Sequence, residues 1–401
     1  MQTEATADTG TKAKRSGSEP RWRVAVCFGI TVAACYAVLG LRVQPSQWTI
    51  TPDGNAPMTE ALAWQAGRMD LPHEGRDTLR DRMHDTAWIE ETGKVYSITP
   101  PLPTFFCFAV TTVEKLWLGE TSETIGPVIY ASAVLVPLFC VGFWAFRTQT
   151  RSAAWAGLLT FAWLAATANY PLMVWSQGGN AGFLNQLLAQ IGILLIAGDL
   201  LGRRRIWPAA IGLVIGAWSR QMTVFYFLPL LGFAWFGQHR RRDLVVVIVA
   251  AVIGVGTLMT LNQLKFGSMF ETGYGLIYKG RGDDDHLAMR ARQGLFSPKW
   301  IRDNLAYMVW RRPEITWTNQ GLALGQDPDG ESLANGASLF FSSPLVLVGL
   351  ASGVIWWRDR RRCWLMLGTL PVILGILMYH APGFLSTGCY RFGMDYVPVW
   401  L

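Results

Sequence analysis

The sequence has little charge, and long stretches have none. Asp, Glu, Lys and Arg make up 16% of its 401 residues, and none of them occurs in 152–198, 244–264 or 332–357. An uncharged apolar stretch of about 20 residues is long enough to cross the hydrocarbon core of a bilayer. This distribution excludes an ordinary soluble domain and predicts an all-α polytopic membrane protein.

Several other features are missing. The six cysteines show no paired spacing, which indicates neither a disulfide framework nor a zinc site. A Walker loop, a dinucleotide-binding fingerprint and a serine-hydrolase elbow are absent, so direct use of ATP is excluded. The first twenty residues are polar and lack the apolar centre of a signal peptide. We predict that 1–20 form a disordered cytoplasmic tail.

Short basic clusters separate the uncharged stretches and account for the net charge of +7. Such clusters hold loops on the cytoplasmic side of a membrane, so they fix the order of the crossings and do not indicate nucleic-acid binding. With every cluster inside, the N-terminus is cytoplasmic and about nine spans follow. They lie near 23–41, 126–146, 153–173, 182–200, 244–263, 337–356 and 363–380, with two short spans between 206 and 238.

The remaining segments complete one transmembrane domain over 21–401. Its two large outer loops are 42–124 and 264–336, and the sequence ends at 397–401 inside a further span, which predicts a truncated C-terminal end. The apolar segment Leu102–Leu118 is not counted as a span. If it crossed, every later arginine cluster would lie outside, and Glu114 and Lys115 interrupt it. We expect an interfacial helix there, on the outer face.

The first outer loop opens with a carboxylate, Asp53, just beyond the first span. A carboxylate at the membrane face can accept a proton from a hydroxyl acceptor while that group attacks an activated carbon. The alternative is a turn-forming aspartate that caps a helix starting near Pro57. The charges over 70–94, and Glu60 before them, predict a solvated helix face.

Other polar residues of the outer loops are candidate ligands. Arg220 lies at the outward turn between the two short spans, where its fork could bind a lipid phosphate or simply reach the interface. Arg391 is a second candidate phosphate ligand. Gln177, with Asn180, Asn185 and Gln186, could contact sugar hydroxyls or bond between helices. Asp283 and Asp285 could hold Mg²⁺ or Mn²⁺, or form an exposed acidic tip without a metal.

Four short segments of the first outer loop carry a family resemblance. They are Asp53-Gly54, Ala61 through Arg68, Gly93-Lys94-Val95-Tyr96 and Pro100-Pro101-Leu102-Pro103. This loop resembles that of the GT-C-fold glycosyltransferases that use polyprenyl-phosphate sugars, the class of the protein O-mannosyltransferases and the lipid A aminoarabinose transferases. Weaker similarity extends over 266–274, 294–297 and 390–398. Gly54 departs from the family pattern, in which an acidic residue often follows the key aspartate.

The resemblance implies a GT-C-like helical bundle with juxtamembrane helices on the outer side of a bacterial cytoplasmic membrane. It implies inverting transfer of a sugar from a polyprenyl-phosphate donor to a lipid, glycan or protein acceptor. Asp53 would be the catalytic base, and Arg220, Arg391, Gln177, Lys94 and Tyr96 would bind substrate or phosphate. A divalent cation is used by some members only. An O-antigen ligase or polymerase, which would depend on arginines, and a lipid-linked-saccharide flippase are the alternatives.

Overall fold

The computed structural model of the protein describes most of the chain. The described residues are 19–40, 48–53, 55–72, 85–119, 122–170, 173, 181–202, 204–278, 286–312, 315–318, 321–324, 336–356, 359–381 and 388–401. Nearly all of the predicted tail at 1–20 lies outside them, as do Gln177, Asn180, Asp283 and Asp285.

Helices make up most of the described fold, as the sequence predicts. The first half contains α1 (Arg21–Gly40), α2 (Ala56–Gln65), α3 (Pro101–Leu118), α4 (Pro127–Thr150), α5 (Ala153–Ala165), α6 (Ala181–Leu201), α7 (Trp207–Ser219), α8 (Phe227–Trp235) and α9 (Arg240–Phe266). The second half contains α10 (Tyr274–Ile277), α11 (His286–Arg292), α12 (Trp300–Val309), α13 (Leu339–Ser342), α14 (Leu345–Trp356), α15 (Arg360–Gly368), α16 (Leu370–Met378) and α17 (Val397–Trp400). Helix α4 includes a π-helical turn at Ala131–Leu135, and 3₁₀ turns occupy Gln221–Tyr226 and Arg391–Asp395.

Three small two-stranded sheets accompany the helices. Strands β1 (Thr86–Ile89) and β2 (Lys94–Ser97) pair antiparallel, as do β3 (Ile315–Thr318) and β4 (Gly321–Leu324). Strands β5 (Gly336–Ala337) and β6 (Gly388–Cys389) pair in parallel. The last pair joins the segment before α13 to the segment that leads into the Arg391–Asp395 turn.

Five helices of the described chain are long and apolar enough to cross a membrane, as in an all-α membrane protein. They are Arg21–Gly40, Pro127–Thr150, Phe183–Leu201, Arg240–Phe266 and Arg361–Met378. Each coincides with a predicted span. The other four predicted spans coincide with shorter helices, namely α5, α7, α14 and the 3₁₀ turn with α8. Nine full-length crossings are therefore not established.

Contacts between helix ends define the two ends of the bundle. At one end, which we call the basic end, the Thr148 hydroxyl donates to the Gly198 carbonyl, and the arginines at 204–205, 240–242 and 360–362 lie in the adjoining segments. At the other, which we call the hairpin end, Ile50 and Ile125 exchange backbone hydrogen bonds. Helix α9 also ends here, and its Lys265 ammonium donates to the Ser97 carbonyl of β2.

Helix α6 is the most buried of the long apolar helices, and α7 packs closely against it. A methyl group on Gly192 would collide with the carbonyl oxygen of Gly212, and the reverse also holds. Small residues allow two backbones to approach in this way, which is how helices without a hydrophobic driving force pack in a membrane. This contact fixes the direction of α7 and hence the position of Arg220 at its end.

Residues 85–94 are the described end of the segment 70–94, and they contain strand β1 and the start of β2. The prediction of a solvated helix face is therefore wrong for these residues. Strands β1 and β2 pair Thr86 with Ser97 and Ile89 with Lys94. Their β-branched and aromatic residues favour strands, and Gly93, with a φ of 63°, allows the turn between them. Glu90 and Glu91 lie four and three positions before Lys94, which is also the spacing of charges along one helix face. Residues 73–84 lie outside the described part of the chain.

Helix α3 is amphipathic, as expected for an interfacial helix. One side, which includes Thr104, Cys107 and Thr111, is buried against the protein. The last turn exposes Leu116 and Trp117, with 77% and 87% of their surface accessible. The helix is not among those apolar enough to cross a membrane. Its location at the membrane surface remains a prediction.

Candidate functional site

Arg220 lies where the chain reverses between two short apolar helices. Helix α7 ends at Ser219, Arg220 adopts an extended backbone, and a 3₁₀ turn follows. The Thr223 hydroxyl donates to the Arg220 carbonyl at 2.7 Å, which stabilises the reversal. Because the backbone is extended at this one residue, the side chain leaves the helix axis and points toward the segment 391–395.

The guanidinium of Arg220 forms a two-pronged ion pair with Asp395. Its Nε lies 3.1 Å from each carboxylate oxygen, and Nη2 lies 2.7 Å from Oδ2. Asp395 is fully buried, and 19% of the Arg220 side chain is accessible. Burial raises the pKa of Asp395, and the Arg220 charge opposes that rise. The fork that the sequence assigned to a lipid phosphate is thus occupied by an internal carboxylate.

Arg391 lies beside this pair without an ion pair of its own in the described part of the chain. Its guanidinium carbon is 5.5 Å from the ring centres of Phe183 and Phe392, and the same Phe392 ring lies 5.2 Å from Arg220. Its Nε is buried and has no hydrogen-bond partner there. Burial lowers the pKa of Arg391, and the neighbouring Arg220 lowers it further. An anion is the natural partner for such a donor.

The Gln186 side chain supports Arg391 from helix α6. Its Nε2 donates to the Arg391 carbonyl at 3.1 Å, so this amide binds the backbone that carries the arginine. One turn further along α6, Gln190 donates to the Asn169 side chain at 2.7 Å. The sequence left two roles open for the amides of this region, contacts with sugar hydroxyls and hydrogen bonds between helices. Gln186 and Gln190 both form hydrogen bonds to other elements of the fold. Asn185 is buried on the same helix.

Tyr379 and Tyr274 extend the group of aromatic rings beside the arginines. The rings of Tyr274 and Tyr379 meet edge to face with centres 6.1 Å apart, and Tyr379 lies 6.0 Å from Phe392. Burial raises the pKa of Tyr274 to about 12, and the Asp85 carboxylate contributes to the rise. Asp85 also opposes the lowering of the Arg391 pKa. The Asp85 charge thus influences the pKa values of both groups, although Asp85 precedes β1 on the hairpin.

Asp53, the predicted base, lies in an exposed turn at the start of α2. Asn55 caps this helix, because its Oδ1 accepts from the Met58 amide at 3.0 Å and its own amide donates to the Pro52 carbonyl at 3.1 Å. The Thr59 hydroxyl donates to the same Pro52 carbonyl at 3.0 Å. Asn55 therefore provides the cap that the alternative interpretation gave to Asp53, and the turn that presents Asp53 is held on both sides.

Glu60 is buried, so the prediction that it lies on a solvated helix face is wrong. It forms an ion pair with Lys265 of α9, and both side chains are at most 5% accessible. The Thr104 hydroxyl of α3 donates to Glu60 Oε2 at 2.8 Å, and Lys265 donates to the Ser97 carbonyl at 3.0 Å. Four elements meet at this pair: α2, α3, β2 and α9. Charge spacing could not reveal it, because the partner lies in a distant span.

Lys94 and Tyr96 lie on strand β2 of the hairpin. The Lys94 ammonium is 3.7 Å from the Asp70 carboxylate, and half of its side chain is accessible. Tyr96 is buried, and its ring meets Phe266 edge to face with centres 6.1 Å apart. These contacts support packing of the hairpin on α9. Substrate binding by Lys94 and Tyr96 remains a prediction.

The described residues contain no group of three His, Cys, Asp or Glu side chains that could hold a metal ion. Asp283 and Asp285 are outside these residues, so the proposed cation site is not tested. Arg220 and Arg391, the two candidate phosphate ligands, both lie beside the Phe392 ring, and phosphate binding by either remains a prediction. The sequence interpretation missed Asp395 and Asp85. A buried arginine at a span turn requires a carboxylate, and this rule could have directed attention to Asp395.

Comparison with known proteins adds no relative: no family model, no curated protein and no solved structure matches the chain.

Proposed function

We propose that the protein transfers a sugar from a polyprenyl-phosphate donor to an acceptor at the hairpin end of the bundle, with inversion. The observation that carries the proposal is the buried Nε of Arg391, which has no hydrogen-bond partner among the described residues and lies beside a second arginine. A donor of this class brings a phosphate at the end of a long apolar chain. An arginine at the end of an apolar bundle suits this ligand, because the guanidinium can bind the phosphate and the apolar helices can contact the chain.

The two arginines take different roles in this proposal. Arg220 is neutralised by Asp395 and holds the 391–395 turn in place. Arg391 binds the phosphate and stabilises the charge that grows on it as the sugar leaves. A phosphate leaving group depends on such electrostatic stabilisation more than on a strong acid. Arg220, at 5.2 Å from the shared Phe392 ring, is already paired and is not the phosphate ligand.

Asp53 is the proposed base of the acceptor hydroxyl. It is exposed, so an acceptor can reach it, and Asn55 fixes the turn on which it lies. General-base catalysis needs a carboxylate within hydrogen-bond reach of the hydroxyl proton, and this contact can form only when the acceptor is bound. The family resemblance of Asp53-Gly54 and of Ala61 through Arg68 supports the assignment. In the inverting step the acceptor oxygen attacks the anomeric carbon, and the bond to the phosphate oxygen breaks.

An O-antigen ligase or polymerase is the second candidate. The arginine cluster favours it as well, because such an enzyme would depend on arginines of the outer loops and not on a first-loop aspartate. Of the residues discussed, only Asp53 is required by one candidate function and not by the other. Loss of turnover on Asp53→Asn supports the first candidate, and unchanged turnover supports the second.

A binding experiment tests the shared requirement for phosphate recognition. Purified protein in detergent is titrated with a short-chain polyprenyl phosphate, and the affinity of the parent is compared with that of Arg391→Lys and Arg391→Ala. Lys retains the charge but loses the planar fork, so we expect weaker binding by Lys and a larger loss by Ala. Arg312→Ala, which removes an exposed arginine, is the matched control. Equal affinity of all four proteins would contradict the proposal.

A further inference from the structure

Helix α6 contacts Arg391 at two points, one turn apart. The Phe183 ring centre lies 5.5 Å from the Arg391 guanidinium carbon, and the Gln186 Nε2 donates to the Arg391 carbonyl at 3.1 Å. Residues three positions apart on a helix lie on the same face, so one side of α6 holds both the side chain and the backbone of the arginine. Phe183 and Gln186 are both buried, which encloses these contacts within the protein.

Gln186 is a polar residue on a helix that is apolar enough to cross a membrane. Burying an amide is costly unless it forms hydrogen bonds, so packing alone favours an apolar residue at this position. The Gln186 Nε2 donates to the Arg391 carbonyl, 205 positions further along the chain. The presence of an amide at this point of α6 is therefore explained by its bond to the arginine segment.

The chain is also held on both sides of Arg391. Before the arginine, strand β6 pairs with β5. After it, the Asp395 carboxylate forms the ion pair with Arg220. These contacts fix the path of the segment, and the bond from Gln186 fixes the backbone at the arginine itself.

A guanidinium binds a phosphate through a planar fork, so its orientation decides how many hydrogen bonds form. Ordering a flexible side chain during binding weakens the affinity, and a side chain that is ordered in advance avoids this cost. Phe183 and Gln186 contact Arg391 without neutralising its charge, because neither carries a charge. Arg391 is partly accessible, so an anion can reach it. The arginine is thus held in place and keeps its charge for a ligand.

We propose that Phe183 and Gln186 are positioning residues that orient the Arg391 guanidinium for a phosphate before the phosphate binds. This inference rests on the proposed function and adds the residues through which α6 contributes to phosphate recognition. Gln186 fixes the backbone from which the arginine side chain leaves, and Phe183 lies against the guanidinium. Supports of this kind on a helix hold a binding group in its productive geometry.

Two matched substitutions on α6 test the role of Gln186. Gln186→Met and Gln190→Met each replace a fully buried amide by an apolar chain of similar length. In both amides the nitrogen donates a hydrogen bond, and the oxygen has no partner among the described residues. The affinity of each variant for a short-chain polyprenyl phosphate is measured in detergent. Gln186→Met should bind roughly three- to tenfold more weakly than the parent, the net effect of one hydrogen bond. Gln190→Met, whose amide binds Asn169, should stay within about twofold.

A second matched pair tests the role of the Phe183 ring. Phe183→Leu keeps an apolar side chain but removes the ring beside the guanidinium, so the affinity should fall by a similar factor. Phe146→Leu removes a buried ring that packs against Trp163, and it should leave the affinity within about twofold of the parent. Thermal unfolding of all four variants is measured alongside binding. A loss of stability shared by a matched pair is thereby separated from a loss of binding in one member.

A third measurement asks whether Gln186 acts through the Arg391 guanidinium. Gln186→Met is combined with Arg391→Lys, because lysine binds phosphate as a point charge without a planar fork and depends less on orientation. In this background Gln186→Met should change the affinity by less than about twofold. The same factor in the parent and in Arg391→Lys would mean that the two positions act independently, which would contradict the positioning role.

The outcomes distinguish the positioning role from the function on which it rests. Weaker binding by Gln186→Met and Phe183→Leu, but not by their matched controls, supports the inference. If the parent binds the lipid and Gln186→Met binds it equally well, or Gln190→Met is weakened to the same extent, the positioning role is wrong although phosphate recognition stands. If the parent does not bind polyprenyl phosphate, the proposed function fails and the positioning role fails with it.

Discussion

Arg220 and Asp395 form a two-pronged ion pair across 175 positions of the chain, with Nη2 to Oδ2 at 2.7 Å. The Tyr226 hydroxyl also donates to the Asp395 carbonyl, at 2.8 Å. The pair thus fastens the 391–395 turn, which carries Arg391, to the break between α7 and the following 3₁₀ turn. The neighbouring Arg391 can bind an external anion because Arg220 already has an internal one.

Loss of Arg220 should therefore destabilise the fold more than loss of Arg391. Arg220→Ala leaves a buried carboxylate without a partner, and breaking a buried pair in this way costs about 3–5 kcal/mol. Arg391→Ala removes no ion pair of the described chain and should have a much smaller effect. Thermal unfolding of both variants in the same detergent measures the difference. An Arg220→Ala variant as stable as the parent would show that the pair does not hold the turn.

The Glu60–Lys265 pair leads to a similar expectation at a second place. Glu60→Gln leaves the Lys265 charge buried, and Lys265→Met leaves that of Glu60, so each should lower stability by about 3–5 kcal/mol. The double variant Glu60→Gln/Lys265→Met buries no charge and should recover most of the loss. Denaturant titration of the four proteins gives the coupling between the two positions. Additive losses in the double variant would contradict a direct ion pair.

Asn55 should affect both stability and turnover, whereas Asp53 should affect turnover alone. Asn55→Ala removes the helix cap at a cost of about 1 kcal/mol and loosens the turn that carries Asp53. Asn55→Asp keeps the capping oxygen and is the matched control. Thermal unfolding and sugar transfer are measured on the same preparations. If Asn55→Ala unfolds at the parental temperature, Asn55 is not the cap that stabilises α2.

Helix α3 is predicted to lie on the membrane surface without crossing. Single cysteines at Glu91 and at Glu123, each in a cysteine-free background, are treated with a membrane-impermeant maleimide in sealed vesicles. Both positions are exposed, and they flank α3 in the chain. We expect both to be labelled from the same side, because the chain between them does not cross. Labelling of the two from opposite sides would mean that α3 crosses.

The sequence predicted those features of the fold that depend on local composition. Gaps in charge located the five long apolar helices, because a bilayer requires one continuous uncharged stretch for each. The hairpin at Thr86–Ser97 was missed because each strand has only four residues, and the charges of the turn repeat at helical spacing. Short strands carry a weaker periodic signal than long helices.

The site was predictable only in part, for a similar reason. Arg220 and Arg391 stood out because arginines are rare beside apolar spans. Their surroundings depend on contacts between residues far apart in sequence, such as Arg220 with Asp395 and Lys265 with Ser97. No spacing in the sequence records these contacts. Asp85 was therefore assigned to a solvated surface, although the fold places it near the arginines.

The most direct test of the central claim is the turnover of Asp53→Asn. The parent, Asp53→Asn and the control Glu91→Gln, which alters an exposed carboxylate, are purified in parallel, checked for monodispersity, and incubated with a panel of polyprenyl-phosphate sugars and candidate acceptors. Release of free polyprenyl phosphate is followed over time. Asn keeps the size of the side chain but cannot accept the proton, so turnover should fall roughly 10²–10⁴-fold while Glu91→Gln stays near the parent. Parental turnover by Asp53→Asn would contradict base catalysis at Asp53 and favour the arginine-dependent ligase or polymerase.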